Sequence, residues 1–288
     1  MRLIVTIFVV FIAAVGVFGQ TPQEPGPTLR IVTEDPNLPS DLYYGDIKVK
    51  PLRLRPGTNQ VVTIDDKDFF VQQHYIDFLG RMPEPSGLRD WVAILTNCAP
   101  GNTSCDRIEV SSGFYRSPEF QERGYYAYRF YSVALGRKPD FNEFMPDLRR
   151  VSGFQTPEQL EASRWALADA WMLRADFQQR YASITDPAAY VKALEATAGV
   201  TLSNESALIA DLAAGRKTRA QVLRAIVDSA EVYQKYFTQA FVVMQYFGYL
   251  RRDPDALYLD WIRTLNETGD YRRMINGFVN STEYRNRF

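Results

Sequence analysis

The chain has 288 residues, of which 46% are apolar and 14% aromatic, so it is long enough to bury a substantial core. Its 33 basic residues nearly balance its 34 acidic residues. This balance argues against a protein that binds nucleic acid or an anionic membrane through its overall charge.

The first nineteen residues have the pattern of a secretory signal peptide. Met1 and Arg2 form a short positive region, residues 3–18 are almost wholly apolar, and small residues precede Gln20. An uncut membrane anchor is the alternative, but a membrane helix needs about 20 apolar residues and this run ends at Gly19. The pattern predicts cleavage and a protein that is secreted, periplasmic or on the cell surface, with no membrane span in the mature chain.

Residues 20–64 are predicted to form a proline-rich linker. Six prolines between residues 20 and 51 interrupt regular structure, and Pro56-Gly57 ends the segment. The runs 29–33 and 61–64 could add short strands or pack along the domain, but neither is long enough to define a sheet.

The two cysteines, Cys98 and Cys105, enclose a short loop of Pro, Gly, Asn and Ser. In an exported chain this spacing predicts one disulfide. A zinc site is disfavoured because the single histidine, His74, belongs to another segment and zinc prefers four ligands. His74 itself lies in a helical pattern, where a packed or solvated histidine is more common than a catalytic one.

From Asp65 onward, apolar residues recur at helical spacing, which predicts an all-α fold. Asp66 and Ser86 are candidate caps of the first two helices. Further starts are predicted where a capping residue precedes proline, at Ser117-Pro118, Thr156-Pro157, Asp186-Pro187 and Asp253-Pro254.

A motif recurs along this helical region. The segment 75–83 (YIDFLGRMP) returns as 131–139 and, more loosely, as 246–254, and a weak copy starts at Tyr190. The tyrosines that open the four copies follow one another at nearly equal intervals. The spacing predicts tandem helical repeats of about 56 residues that form a bundle or array, with units at 65–123, 124–182, 183–238 and 239–288.

The recurring positions are assigned structural roles. Glycine in the Leu-Gly-Arg-x-Pro step allows a left-handed helix end, and proline prevents continuation. The arginine is interpreted as closing helix carbonyls or pairing with a recurrent acid, in preference to binding a ligand. The motif residues are Tyr75, Leu79, Gly80, Arg81, Pro83, Trp91 and Phe120; Tyr131, Leu135, Gly136, Arg137, Pro139 and Phe177; Tyr246, Leu250, Arg251 (or Arg252), Pro254, Trp261 and Tyr284.

The pattern YxDFLGRxPExxGLxxW, followed by the cysteine loop and GFxxSPEF, resembles the family called domain of unknown function 4214, which is related in pattern to phycobilisome linker domains. The resemblance runs from about Asp65 to Phe288 and is strongest from Tyr75 to Phe120. It is weakest in the third copy, which lacks the Gly-Arg-x-Pro step and a tryptophan. The resemblance implies a small helical bundle in exported or surface proteins, with no agreed reaction and no catalytic residues.

No catalytic, cofactor-binding or metal-binding residues are assigned from the sequence. Nucleotide-binding glycine loops and a Gly-x-Ser-x-Gly elbow do not occur. The single histidine also argues against a serine or cysteine catalytic triad. The acidic clusters at residues 65–68 and 253–255 lack the calcium-loop pattern and are interpreted as helix caps.

The aromatic residues suggest where a partner could bind. Tyr125, Tyr126 and Tyr128 form a dense run that is interpreted first as packing between repeats and second as a binding surface for a protein or a sugar. The leading hypothesis is a non-enzymatic interaction or scaffold protein. Its alternatives are a carbohydrate-binding protein of the cell envelope and, less favoured, a polysaccharide hydrolase that uses paired carboxylates.

Overall fold

The computed structural model describes residues 29–32, 40–44, 47–55, 57–153 and 156–288, with side chains described from residue 53 onward. The predicted signal peptide, residues 1–19, lies outside the described residues.

A small antiparallel sheet precedes the helices. Its strands, in the order in which they pair, are β1 (Leu29–Val32), β2 (Ser40–Tyr44), β3 (Ile47–Leu54) and β4 (Val61–Val62). Leu29 pairs with Tyr44, and Leu54 pairs with Ser40 on one side and Val61 on the other. The expectation that the runs 29–33 and 61–64 define no sheet is therefore wrong. Each run is short, but the strands between them, β2 and β3, supply the missing hydrogen-bond partners.

The rest of the described chain is helical, which confirms the all-α prediction for the region after Asp65. The helices are α1 (Lys67–Leu79), α2 (Pro85–Asn97), α3 (Arg107–Arg116), α4 (Pro118–Glu122), α5 (Gly124–Leu135), α6 (Phe141–Val151), α7 (Pro157–Met172), α8 (Ala175–Tyr181), α9 (Pro187–Ala198), α10 (Glu205–Ala213), α11 (Arg219–Val227), α12 (Ala230–Gln245), a π-helical turn (Tyr246–Leu250), α13 (Tyr258–Thr268), α14 (Tyr271–Val279) and α15 (Thr282–Arg285).

Helix α5 is the centre of the core. All twelve of its residues are buried, because α4, α6, α9, α11 and α12 pack around it. The aromatic residues of α1, α3, α12 and the C-terminal helices continue the same apolar cluster from Ile64 to Phe288. None of the helices in the described part of the chain combines the length and the apolar character that a membrane crossing requires.

The predicted helix ends agree with the structure at the motif glycines. Gly80 and Gly136 end α1 and α5 with φ of 65° and 69°, in the left-handed region that glycine enters without a Cβ clash. Arg251 occupies the same place after the π-helical turn, with φ of 56°. Pro83, Pro139 and Pro254 lie in the non-helical segments that follow.

Three of the four predicted starts before proline are confirmed. Ser117, Thr156 and Asp186 cap α4, α7 and α9 by accepting a hydrogen bond from a main-chain N–H. Asp253 starts no helix, because α13 begins only at Tyr258. Its carboxylate instead accepts the main-chain N–H of Phe141, 2.7 Å away at the start of α6.

Two other predicted helix starts differ in detail. Ser86 is not a cap, since α2 begins one residue earlier at Pro85. Asp66 does precede α1, but its carboxylate accepts the main-chain N–H of Thr63 at 2.8 Å and not an N–H of the helix.

The segment predicted to be the third copy has its left-handed turn in a different register from the one predicted. Its left-handed turn is at Gly199 (φ 60°), nine residues after Tyr190, whereas Gly80 follows Tyr75 by five. The residue in the place of Tyr75 is therefore Leu194. Helix α12 also runs across the predicted boundary between residues 238 and 239, so one continuous helix joins the third and fourth segments.

Candidate binding sites

The three tyrosines considered as a binding surface are fully buried. Tyr125, Tyr126 and Tyr128 lie on α5, and the hydroxyls of Tyr126 and Tyr128 donate to Arg164 O and Gln239 Oε1, both at 3.1 Å. Burial raises the pKa of all three phenols. The surface interpretation is therefore wrong. Helical spacing shows which residues share a face, but it does not show that neighbouring helices cover every face.

The motif arginines in the first and fourth copies bind the acid of the closing motif. Arg81 donates to both carboxylate oxygens of Glu119 at 2.6 Å. Arg252 donates to both oxygens of Glu283, at 2.6 and 3.0 Å. Each arginine also donates to a main-chain carbonyl in its turn at 3.0 Å. The pairing with the closing acid that the sequence predicted is present at Arg81 and Arg252.

Around Arg137 the motif arginine and the closing acid bind other residues and not each other. Arg137 binds Glu143 in α6, while the closing acid Asp176 accepts a hydrogen bond from Arg174 at 3.3 Å. Arg174 stands in the closing motif where Ser117 and Ser281 stand in the others. It therefore competes with Arg137 for the carboxylate of Asp176. The closing apolar residues Phe120, Phe177 and Tyr284 are nevertheless all buried.

The remaining motif side chains form the interior. Tyr75, Leu79, Tyr131, Leu135 and Tyr246 are buried, and Leu250 is partly buried against the same cluster. Trp91 stacks on Phe114 with ring centroids 5.0 Å apart. Trp261 is only partly buried on α13.

His74 is a packed core residue. Its Nδ1 lies 2.8 Å from the carbonyl oxygen of Phe70, and its Nε2 lies 3.4 Å from the hydroxyl of Tyr249. Burial lowers its pKa from 6.5 to about 3, so the ring is neutral at pH 7. These contacts favour the packed interpretation made from the sequence.

The acidic cluster at residues 65–68 is bound by arginines. Asp65 accepts from Arg285 and Arg107, and Asp68 accepts from Arg55. In the described part of the chain, no three His, Cys, Asp or Glu side chains are grouped to hold a metal.

The predicted disulfide joins Cys98 to Cys105, whose Cα atoms are 5.5 Å apart. It closes the loop between α2 and α3. This loop borders a cavity of about 310 Å³ whose acidic residues are Asp65 and Asp106. Asp106 caps α3 and also binds Arg272, so neither carboxylate is unpaired.

A groove that sequence reasoning missed lies between α7 and α11 and has a volume of about 380 Å³. This size is within the usual range for small-molecule sites, about 300–1,000 Å³. We call it the Trp165 groove; its lining residues are Trp165, Arg216, Lys217, Gln221, Arg224, Ala225 and Asp228. The guanidinium carbon of Arg224 lies 3.9 Å from the centre of the Trp165 ring.

Ion pairs hold the floor of the Trp165 groove in place. The side chain of Arg224 is 8% exposed and binds Glu161 at 2.7 Å and Asp228 at 3.4 Å. Asp228 also accepts from Arg164 at 3.0 Å and Arg129 at 3.3 Å. The rim is more open, since Arg216 and Lys217 are 60% and 37% exposed.

The outer face of α13 is a second candidate. Its apolar residues recur at helical spacing and pack in part against the core, but none of them is fully buried. Leu257 and Leu259, at its start, are 60% and 57% exposed. Leu265 and Gly269, at its end, border an apolar cavity of about 180 Å³ between α3 and α12.

A comparison with protein families matches residues 59–124 to a domain of unknown function (DUF4214). The match covers β4 and α1 to α4 and ends at the first residue of α5. It supports the family resemblance for the first copy of the motif. No curated protein and no solved structure matches the chain.

Proposed function

We propose that this chain is a non-enzymatic interaction or scaffold protein that acts after export, built from four related helical units. The observation that carries the proposal is the exposure of Leu257 and Leu259, at the start of α13, which are 60% and 57% exposed, while the other apolar residues of α13 pack in part against the core. Large apolar side chains that stay exposed close to one another are typical of a protein contact site.

The order of the helices supports the four units. A helix that ends in a left-handed residue, at Gly80, Gly136, Gly199 or Arg251, opens each unit. A second and a third helix follow, and an acid-containing cap motif closes the unit. We extend the family resemblance, including its likeness to phycobilisome linkers, to residues 125–288 on this ground.

The occupant we propose for the α13 face is an amphipathic helix of another exported protein. A helix docks by placing apolar side chains on an apolar strip, and deeper anchors fill an adjoining cavity. Leu257 and Leu259 are the exposed apolar side chains available for this contact, and the cavity beside Leu265 and Tyr271 is of a size to admit one side chain.

The test compares two variants of the purified exported chain. Leu257→Ser combined with Leu259→Ser removes both exposed side chains, and Leu173→Ser is the matched control because Leu173 is 82% exposed and follows α7. All three leucines are surface residues, so we expect little change in stability, within about 0.5 kcal/mol for each substitution.

We expect the wild-type chain and the Leu173 variant to bind the same exported protein with saturation, and the double variant to lose at least tenfold in affinity. A purified partner and calorimetry provide the measurement. Equal affinity of all three chains would remove α13 from the proposal.

Carbohydrate binding is the second candidate function, and the Trp165 groove favours it. An aromatic ring beside Arg, Lys, Gln and Asp offers both an apolar face and hydrogen-bonding groups in one cavity.

A hydrolase is the least supported candidate. One pair of neighbouring carboxylates is Asp147, whose pKa burial raises, and Glu143, whose pKa is lowered by hydrogen bonds that outweigh its burial. Both bind Arg174, and Asp147 also accepts from the hydroxyl of Tyr131 at 2.6 Å. These contacts account for both carboxylates as parts of a structural network.

A further inference from the structure

The Trp165 groove has an excess of positive charge. The basic side chains Arg129, Arg164, Arg216, Lys217 and Arg224 are linked by ion pairs to Glu161, Asp211 and Asp228. This network carries five cations and three carboxylates, a charge of +2, and the charged residues that line the groove itself are Arg216, Lys217, Arg224 and Asp228. The whole chain has a formal charge of −1. An anionic group entering the groove would therefore be stabilised.

One buried donor in the groove has no partner. The Nη1 atom of Arg224 is buried without a hydrogen bond among the described residues, although the other nitrogens of the same guanidinium bind Glu161 and Asp228. A buried unpaired donor costs free energy unless a ligand or water satisfies it. Arg224 is more than nine-tenths buried and this atom has no accessible surface, so the guanidinium adds positive charge beneath the groove and makes no direct contact with a ligand.

The neutral groups in the groove determine which kind of anion fits. The guanidinium of Arg224 covers one face of the Trp165 ring, and the C–H face of a sugar ring can pack against the part of the ring that stays exposed. The carboxylate of Asp228 accepts hydrogen bonds and would repel a dense phosphate cluster, while the amide of Gln221 both donates and accepts. A ligand that carries several hydroxyls and one carboxylate uses all of these groups.

We propose that the Trp165 groove binds an acidic saccharide, a uronic acid residue within a surface polysaccharide. The sugar ring packs against Trp165, and its hydroxyls bond to Gln221 and Asp228. Its carboxylate binds the N–H groups that Arg216 and Lys217 keep after each has paired with Asp211. This inference rests on the second candidate function, carbohydrate binding, and is independent of the α13 face.

Calorimetric titration of the purified exported chain with an oligogalacturonate tests the proposal, with a neutral oligosaccharide of equal length and inorganic sulfate as parallel ligands. We expect saturable binding of the oligogalacturonate only, weakened by added salt because the contact is ionic. No product release is expected.

Two variants and one control assign the binding to the groove. Arg216→Gln combined with Lys217→Gln removes exposed rim charges, and we expect about a tenfold loss of affinity. Trp165→Ala is expected to abolish binding. Arg263→Gln, which removes a 66% exposed arginine on α13, is the charge-matched control and is expected to change nothing.

Each opposite outcome overturns the inference. Equal binding of the neutral sugar would leave carbohydrate binding in place but refute the acidic ligand, and sulfate binding of equal strength would reduce the groove to a general anion site. Binding that survives the rim variant would place the site elsewhere. If no saccharide binds, both the inference and the second candidate function fail, while the α13 proposal stands.

Discussion

Substitution of Arg81 by methionine tests whether the motif arginine is a structural group. The Arg81 side chain is 9% exposed and holds Glu119 with two hydrogen bonds and Glu84 with a third, at 2.7 Å. Breaking a buried pair by removing one partner costs about 3–5 kcal/mol. Glu119 keeps Arg123 at 2.8 Å and Glu84 is 33% exposed, so we expect a smaller loss of about 2 kcal/mol.

Arg137 provides the matched control, because it occupies the same motif position but is 41% exposed. Arg137→Met is expected to cost less than about 1 kcal/mol, as exposed pairs do. Urea unfolding at pH 7, followed by circular dichroism, measures both variants. Equal losses, or a larger loss for Arg137→Met, would refute the argument that burial of the pair decides its contribution.

Three further predictions concern stability. Gly136→Ala should destabilise the protein by more than the roughly 1 kcal/mol of left-handed strain, because the new Cβ would lie 3.1 Å from a carbonyl oxygen of α9. At Gly215 (φ 67°) a new Cβ meets open space, so Gly215→Ala should cost the strain alone. Thermal melts of the two variants measure the difference. The pKa of His74 in the folded state lies below its value in the unfolded chain, so the unfolded chain binds one proton more. The free energy of unfolding should therefore fall as the pH drops from 6.5 toward 5, a window that lies above the usual pKa values of carboxylates. The slope should approach about 1.4 kcal/mol per pH unit and disappear in His74→Phe, and a wild-type slope that persists in that variant would contradict the assignment. Reduction of the disulfide between Cys98 and Cys105 should lower stability by about 2 kcal/mol, measured as a shift in melting temperature that is absent from the double serine variant.

The local features of the fold were predictable wherever one residue type has one conformational role. Gly80 and Gly136 end helices because glycine tolerates the left-handed region, and Ser117 starts α4 because its hydroxyl accepts a free N–H. The same reasoning failed at Asp253, which has the sequence of a cap but binds a helix from another part of the chain, at Phe141. A capping residue identifies an acceptor, and only the fold shows which N–H reaches it.

The candidate sites were less predictable than the helices. Trp165 and Arg224 are far apart in the sequence, and their side chains meet only because α7 packs against α11. The signals available were weak: a tryptophan among polar residues and the basic pair Arg216 and Lys217 after a glycine. Neither signal indicates a shared cavity.

The sequence by itself determined the helical class, the disulfide, the motif and most helix ends, since these depend on neighbours within one or two turns. The tertiary structure decided which faces are covered. Tyr126 and Leu257 both belong to apolar stretches, yet Tyr126 is fully buried on the central helix α5 and Leu257 is 60% exposed before the outer helix α13. The difference arises because burial depends on how many helices surround a position, and that number is a property of the packed fold.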